Sequence, residues 1–229
     1  MRVDPMREGV EVAGSRPVAR VAWALLWLAL AAFAAEFVRH VYLKYAALES
    51  PAYAMFLTRR GWLWCHLGGG AAGIALGTLQ FATQGWRRHA WVHRWLGRAY
   101  FVGMLVAMLG ATGLIATSPA PMAIRVAFAA TEAAWLVVAS AGLVAIFRGQ
   151  VDRHRRWMVR AYLVTLAPVV FRIALYAAVG AGMVPSPGTI AAMLWASWAA
   201  PLLIHVTGSA IANATHRNAR LAGLGIDAG

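Results

Sequence analysis

The sequence predicts an all-α protein, a polytopic transmembrane helical bundle of about six helices with both termini in the cytoplasm. Hydrophobic residues make up 61% of the 229 residues and only 8 are acidic, which is too little charge to cover a soluble domain of this length. The apolar residues also come in blocks of about 20 or more, each long enough to cross a hydrocarbon core. Basic residues collect between the blocks, as they do in the loops of membrane proteins.

The apolar blocks give the expected elements in chain order. Residues 1–18 are interpreted as a cytoplasmic tail, residues 19–212 as a single transmembrane bundle, and residues 213–229 as a second cytoplasmic tail. A cleaved signal peptide competes for the first block, because AFAAE offers small residues for cleavage, but the long polar leader favours a retained helix. The six helices are expected near 19–38, 62–83, 96–117, 122–147, 157–181 and 188–212.

The Lys and Arg residues predict the orientation of the bundle. Thirteen of them collect on one side and five on the other, and the positive-inside rule assigns the richer side, with both termini, to the cytoplasm. The segments SPAP at 118–121 and PSP at 185–187 predict tight turns between antiparallel helices. In the outer loop 41–60, Pro51 after Ser50 predicts the start of a short interfacial helix.

Charge and cysteine content narrow the function classes. The net charge of +13 lies mostly between apolar blocks and lacks an aromatic–basic recognition motif, so the expected partners are the bilayer and its anionic head groups rather than nucleic acid. The lone Cys65 excludes an internal disulfide and a thiolate cluster. The sequence contains no Ser-His-Asp order, phosphate-binding loop, HExxH motif or dinucleotide fingerprint, so a soluble-type hydrolase or kinase is not expected.

A short near-repeat is the clearest internal pattern. Residues 93–100 read HRWLGRAY and residues 154–162 read HRRWMVRAY, and each copy opens a helix that runs outward from the cytoplasmic face. The pattern predicts a parallel duplication of a hairpin, helices three–four and five–six. It fits two interpretations, anchoring at the membrane interface or His93 and His154 facing each other across the bundle. In the second helix, Gly69, Gly73 and Gly77 favour close helix packing or the approach of a flat cofactor.

These features together resemble a known family. They are His66 followed by a glycine-rich helix ending near Gln80, the two copies of the near-repeat, and Arg172 ten residues after Tyr162. The chain resembles the bacterial membrane-protein family catalogued as domain of unknown function 2306, over roughly residues 60–180. The resemblance implies a multi-helix fold in the bacterial inner membrane and carries no activity with it.

The histidines predict a site for non-covalent haem. Bis-histidine ligation requires two neutral imidazoles from different helices, on opposite sides of the iron ring. The candidate ligands are His66 near the outer face, and His93, His154 and His205 nearer the cytoplasmic face, with His66, His93 and His154 as the metal-ligating set. The expected partners of haem propionates, or of a quinone, are Arg98, Arg160 and Arg172. The arrangement is similar to that of ascorbate-reducible di-haem cytochromes, although the fourth block has no histidine to pair with His66.

Three charged residues lie within apolar blocks, Glu36, Glu132 and Arg172. Such residues usually face the bundle interior, and they line a solute path or form structural ion pairs. Arg172 is expected to face inward and to pair with Glu132. The leading function is therefore a b-type haem or quinone-linked electron-transfer protein. The alternatives are a proton-coupled or small-molecule transporter, with Glu132 and Arg172 in its path, and a non-catalytic subunit of a membrane complex.

Overall fold

The computed structural model of the chain describes residues 51–83 and 90–223, together with scattered positions between Val21 and Leu43. All regular elements within this part are helices, which confirms the all-α class. The expected N-terminal tail and most of the first helix, 19–38, lie outside the described residues.

The described elements follow one another as helices joined by short connections. A 3-10 helix at Pro51–Arg59, where the sequence predicts an interfacial helix, leads directly into α1. The helices are α1 at Arg60–Thr83, α2 at Ala90–Ala116, α3 at Met122–Phe147, α4 at Val151–Thr165, α5 at Ala167–Gly180 and α6 at Pro187–Gly223. The turn between α3 and α4 passes through Gly149 at φ 69°, a left-handed conformation that glycine adopts without steric cost.

Four segments of the described part are long and apolar enough to cross a membrane, so the chain is a multi-pass membrane protein, although the expected count of six is slightly high. These are α2, α3, the combined α4–α5 segment Val151–Gly180, and α6 as far as Thr215. The glycine-rich helix α1 is not among them, because its glycines, His66 and Gln80 lower its mean hydropathy.

The helix boundaries differ from the expected ones for identifiable reasons. The starts of α2 and α4 lie six residues before the expected positions, since interfacial Arg and His residues continue a helix beyond its apolar block. The expected fifth helix is interrupted at Leu166, because Pro168 has no N–H to donate to the carbonyl of Val164. The last helix continues past residue 212, into the expected tail, as far as Gly223.

Two helix pairs pack most extensively, α1 with α2 and α3 with α4. A Cβ added at Gly69 would overlap the α2 backbone at Gly103 and Ala107, and one at Gly110 would overlap the α1 backbone at His66. The glycines therefore allow the two backbones to touch. Helix α6 packs on this four-helix core and on α5, and its Trp198 and Leu202 contact the buried core residues.

The carbonyl groups at the end of α2 are capped by arginines. Arg59, only 8% exposed, donates from Nη1 to the carbonyl of Thr117 at 3.2 Å and from Nε to the carbonyl of Met55 at 2.8 Å. Arg125 donates from Nε to the carbonyl of Ile115 at 3.1 Å. Cations at a helix C-terminus satisfy its free carbonyls and complement the helix dipole. These two arginines are thus explained by structure alone.

Candidate functional site

The two copies of the near-repeat occupy equivalent positions, each at the start of the second helix of a tightly packed pair. In the first copy, the Arg98 guanidinium lies 5.1 Å from the centroid of the Trp95 ring. In the second, the Arg160 guanidinium lies 4.6 Å from the centroid of the Trp157 ring. The most extensive packing supports α1–α2 and α3–α4 as the repeated hairpins, rather than the expected pairs of third with fourth and fifth with sixth helices.

His93 is held by the end of α1. The Gln80 side-chain amide donates to the backbone carbonyl of His93, and the His93 Nδ1 lies 3.4 Å from Thr83 Oγ1. Thr83 donates its own proton to the carbonyl of Leu79 at 2.8 Å, so towards His93 it acts as the acceptor. In the neutral tautomer that matches this acceptor, Nδ1 carries the proton and Nε2 keeps its lone pair.

His154 has the corresponding arrangement on the second hairpin. Its Nδ1 donates to the backbone carbonyl of Gly142 on α3 at 2.8 Å, because a carbonyl can only accept, and in the neutral ring Nε2 again keeps its lone pair. Both histidines lie three residues after the start of their helices, α2 and α4, which begin at the same end of the bundle. Two imidazoles with Nδ1 fixed by a protein acceptor and Nε2 available are the form in which histidine binds metals.

A layer of hydroxyl groups lies farther along the bundle, where each copy of the near-repeat ends in tyrosine. Tyr100, 2% exposed, bonds through its hydroxyl to Thr165 Oγ1 at 2.8 Å and accepts from Trp135 Nε1 at 3.1 Å. Tyr162 bonds to Thr78 Oγ1 at 2.6 Å. Each tyrosine of the repeat thus binds a threonine on another helix.

The glycine face of α1 receives these aromatic rings. A Cβ added at Gly77 would overlap the ring of Tyr162 and lie 3.4 Å from that of Tyr100, and a Cβ at Gly73 would lie 3.6 Å from Trp135. Because α2 and the aromatic rings cover this face, helix packing explains the glycines and no flat cofactor is needed there.

The opposite end of the bundle holds a second set of polar residues, which does not follow the two-copy pattern of the near-repeat. His66 Nδ1 donates to the carbonyl of Ala107 at 3.2 Å, and the charge of Arg172 acts on the His66 ring. Glu132 accepts from Thr112 Oγ1 at 2.7 Å. The structure thus gives Arg172 and Glu132 other neighbours, and the expected pairing between them stays a prediction. Glu36 pairs with Arg39 one helical turn away, through two contacts of 2.6 and 2.7 Å.

The remaining candidates differ in their surroundings. Arg98 is exposed, whereas Arg160 is half-buried and its buried Nε has no hydrogen-bond partner within the described structure. His205 is half-buried on α6, outside the four-helix core. In the described ranges no three His, Cys, Asp or Glu side chains converge as a metal site, so His66, His93 and His154 do not form one centre.

Sequence reasoning missed the polar residues that support the histidines, Glu132 and Tyr100. Thr83 is the last residue of α1 and Gln80 lies three residues before it, Thr112 lies one turn before the end of α2, and Thr165 is the last residue of α4. Each is an isolated polar residue in an apolar block, and that isolation was the feature of the sequence that could have identified it. The tyrosines were visible as the last residues of the near-repeat, but their partners depend on helix packing.

A family model described as a predicted membrane protein, domain of unknown function 2306, matches residues 63–207 of the chain. No curated protein and no solved structure matches the chain.

Proposed function

The chain belongs to this family of membrane proteins, and from that premise we propose that it is a b-type haem protein of the bacterial inner membrane that transfers electrons, in which His93 and His154 would hold the iron. The match covers α1 to α5 and most of α6, and therefore includes both histidines and the helices that support them.

The observation that carries the proposal is the equivalent placement of the two histidines. Each lies three residues after the start of its helix, α2 or α4, at the same end of the bundle. Each has a protein oxygen beside Nδ1, which leaves Nε2 of the neutral ring for a metal. Anchoring at the interface does not require a protein oxygen beside Nδ1 in both copies.

The repeat supplies a reason for the equivalent placement of the two histidines. Two hairpins related by an axis along the membrane normal present equivalent side chains to that axis from opposite sides. Two imidazoles on opposite sides of one planar iron ring need this arrangement. Haem would supply one-electron redox chemistry there, and the protein would supply the ligands and the surrounding low dielectric.

The arginines of the repeat suit the propionate groups of the macrocycle. Arg160 has a buried Nε donor that lacks an acceptor in the described structure, and its guanidinium plane is already positioned over Trp157. Buried donors are nearly always paired, and an unpaired one indicates a missing partner. A carboxylate is the best acceptor for a guanidinium. Arg98 occupies the equivalent position in the first copy and completes the set.

The test is the visible spectrum of the detergent-purified protein from haem-replete cells. We expect a Soret band and a reduced-minus-oxidised difference spectrum, which His93→Ala and His154→Ala should each abolish. His66→Ala is the matched control, since His66 is also bonded to a helix carbonyl but lies at the opposite end. Loss of the band only in the control would move the ligand to that end, and a colourless wild-type preparation would overturn the proposal.

The same spectra test how His93 is oriented. Thr83→Val removes the acceptor for its Nδ1–H and keeps the shape of the side chain. A support of this kind raises ligand basicity, so its loss should shift the midpoint potential of the bound haem while leaving the Soret band in place. An unchanged potential would mean that Thr83 does not position the ligand.

A small transporter is the second candidate, favoured by Glu132 and Arg172 within the spans. Intramembrane charges mark solute or proton paths in many membrane proteins. A colourless protein whose proton-coupled uptake in proteoliposomes is abolished by Glu132→Gln would select this candidate. Haem binding with no uptake would reject it.

A further inference from the structure

A cluster of arginines, called here the basic turn, lies at the connection between α3 and α4. It comprises Arg148, directly after the last residue of α3, and Arg153, Arg155 and Arg156 in the first two turns of α4. All four residues are exposed. The connection between the two membrane-spanning segments is only three residues long, 148–150, so the basic turn lies where the chain leaves the membrane and re-enters it.

The length of the α4–α5 segment places these arginines at the level of the lipid phosphates. Val151–Gly180 has 30 residues and is about 43 Å long at 1.5 Å per residue, which exceeds a hydrocarbon core of about 30 Å by about 13 Å. The excess falls at the start of the segment, because its charged residues are concentrated there. The first two turns of α4 therefore lie in the head-group region.

The positive charge of the basic turn has little compensation in the described part of the chain. Its four arginines are accompanied by one acidic residue, Asp152, whose side chain is 86% exposed and lies 4.0 Å from Arg155. Arg153 donates to a neutral side-chain amide at 3.1 Å, and Arg148 and Arg156 have no hydrogen-bonded or acidic partner among the described residues. The start of a helix also carries a partial positive charge, so an anion from outside the protein would stabilise α4.

Exposed apolar side chains lie directly beside the arginines. Phe147, the last residue of α3, is 79% exposed, and Val144 one turn before it and Val151 at the start of α4 are exposed as well. Residues 149–153 line a shallow depression of about 480 Å³ between the apolar and the basic side chains. A soluble phosphate would not use the apolar part of this surface, and a second copy of the chain would place its own arginines against these.

We propose that the basic turn binds the head group of an anionic phospholipid. Arg153 and Arg156 lie three residues apart on one face of α4 and donate to the phosphate oxygens, while Arg148 adds a third positive charge. The acyl chains extend from the depression along Phe147 and Val144. A zwitterionic lipid binds less well, because the arginines repel its cationic group. Lipid binding at this turn does not depend on haem or on electron transfer.

The test is native mass spectrometry of the full-length protein in a non-ionic detergent, titrated with phosphatidylglycerol or with phosphatidylcholine of the same acyl chains. We expect phosphatidylglycerol to bind more tightly, and the difference to fall as the salt concentration rises. One arginine near anionic head groups contributes about fivefold, so Arg153→Gln combined with Arg156→Gln should weaken phosphatidylglycerol binding about thirtyfold. The corresponding pair of Lys substitutions keeps both charges and should retain most of the binding.

Arg155→Gln is the matched control. Arg155 lies between the two proposed ligands in the chain but has Asp152 beside it, so its loss should change binding little. An equal loss in this control would indicate attraction by net charge alone and would overturn the proposal, as would equal binding of the two lipids or a preference that is insensitive to salt. Displacement by glycerophosphoglycerol, the head group without acyl chains, would identify a soluble phosphate as the ligand instead. If the Gln pair fails to fold by far-UV circular dichroism, the Lys pair and the salt dependence of the wild type decide.

Discussion

Removal of the Tyr100 hydroxyl should destabilise the protein more than removal of the Tyr162 hydroxyl, although both tyrosines end equivalent copies of the repeat. Thr165 donates its proton to the carbonyl of Ala161 at 2.9 Å, so Tyr100 must donate to Thr165 and accept from Trp135. In Tyr100→Phe, the Trp135 N–H loses its acceptor in the protein interior.

The magnitudes follow from the hydrogen bonds that each substitution leaves behind. For Tyr100→Phe we expect a loss of about 2 kcal/mol, of which about 1–2 kcal/mol is the cost of the unpaired Trp135 donor and the rest is the bond to Thr165. Tyr162→Phe should cost only about 0.5–1 kcal/mol. Its partner Thr78 still donates to the carbonyl of Ile74 at 2.9 Å, so no donor is left unpaired.

The assay is the free energy of unfolding from a reversible titration with SDS in mixed micelles, followed by far-UV circular dichroism. A double-mutant cycle with Trp135→Phe isolates the unpaired donor, because Tyr100→Phe should cost less when Trp135 is absent. If Tyr162→Phe costs as much as Tyr100→Phe, or if the cycle shows no coupling, the unpaired donor does not dominate and the reasoning is refuted.

Three further variants or fusions test the remaining contacts. Gly69→Ala should cost about 1–3 kcal/mol in the same titration, because its methyl would overlap the α2 backbone, whereas Gly70→Ala has open space around it and should be neutral or slightly stabilising. Equal effects would contradict the close approach of α1 and α2. Arg59→Met should cost about 1–2 kcal/mol, because it leaves carbonyl groups of α2 unpaired. Arg60→Met, at the exposed neighbouring position, should cost less than about 0.5 kcal/mol. Equal losses in the two variants would argue against a capping role for Arg59. Reporter fusions after residue 50 and at the C-terminus should lie on opposite sides of the membrane, and a periplasmic C-terminus would reverse the assigned orientation.

Much of the fold follows from the distribution of apolar residues. The expected third connection and fourth helix, SPAP followed by 122–147, agree with α3 at Met122–Phe147, because a proline-rich turn and a basic segment bound the block on both sides. Where the flanking residues are amphipathic, the observed helix start differs from the expected one, as at the start of α2. The interruption at Leu166 was signalled by Pro168, but a proline permits a kink or a break, and the sequence does not choose between them.

The sequence predicts the level of the histidines along their helices, but it does not predict their side-chain partners. His93 and His154 were expected at one level because both open helices of the same direction, but their Nδ1 neighbours, Thr83 and the Gly142 carbonyl, lie on other helices and depend on how the helices pack. The partner of Glu132 was not expected, because the choice between Arg172 and Thr112 depends on how the helices are rotated. Hydropathy gives the length of a span and carries little information on rotation.

The close contact between α1 and α2 has a consequence for how the chain enters the bilayer. Helix α1 is not among the segments apolar enough to span a membrane, and it touches α2 through Gly69 and Gly110. Its glycines leave its backbone with little side-chain cover, so α1 gains from entering together with a partner that shields that backbone. During biosynthesis, α1 should therefore leave the translocon as a hairpin with α2. A released fragment that ends before residue 90 should insert α1 poorly, and the fragment extended through α2 should insert both helices.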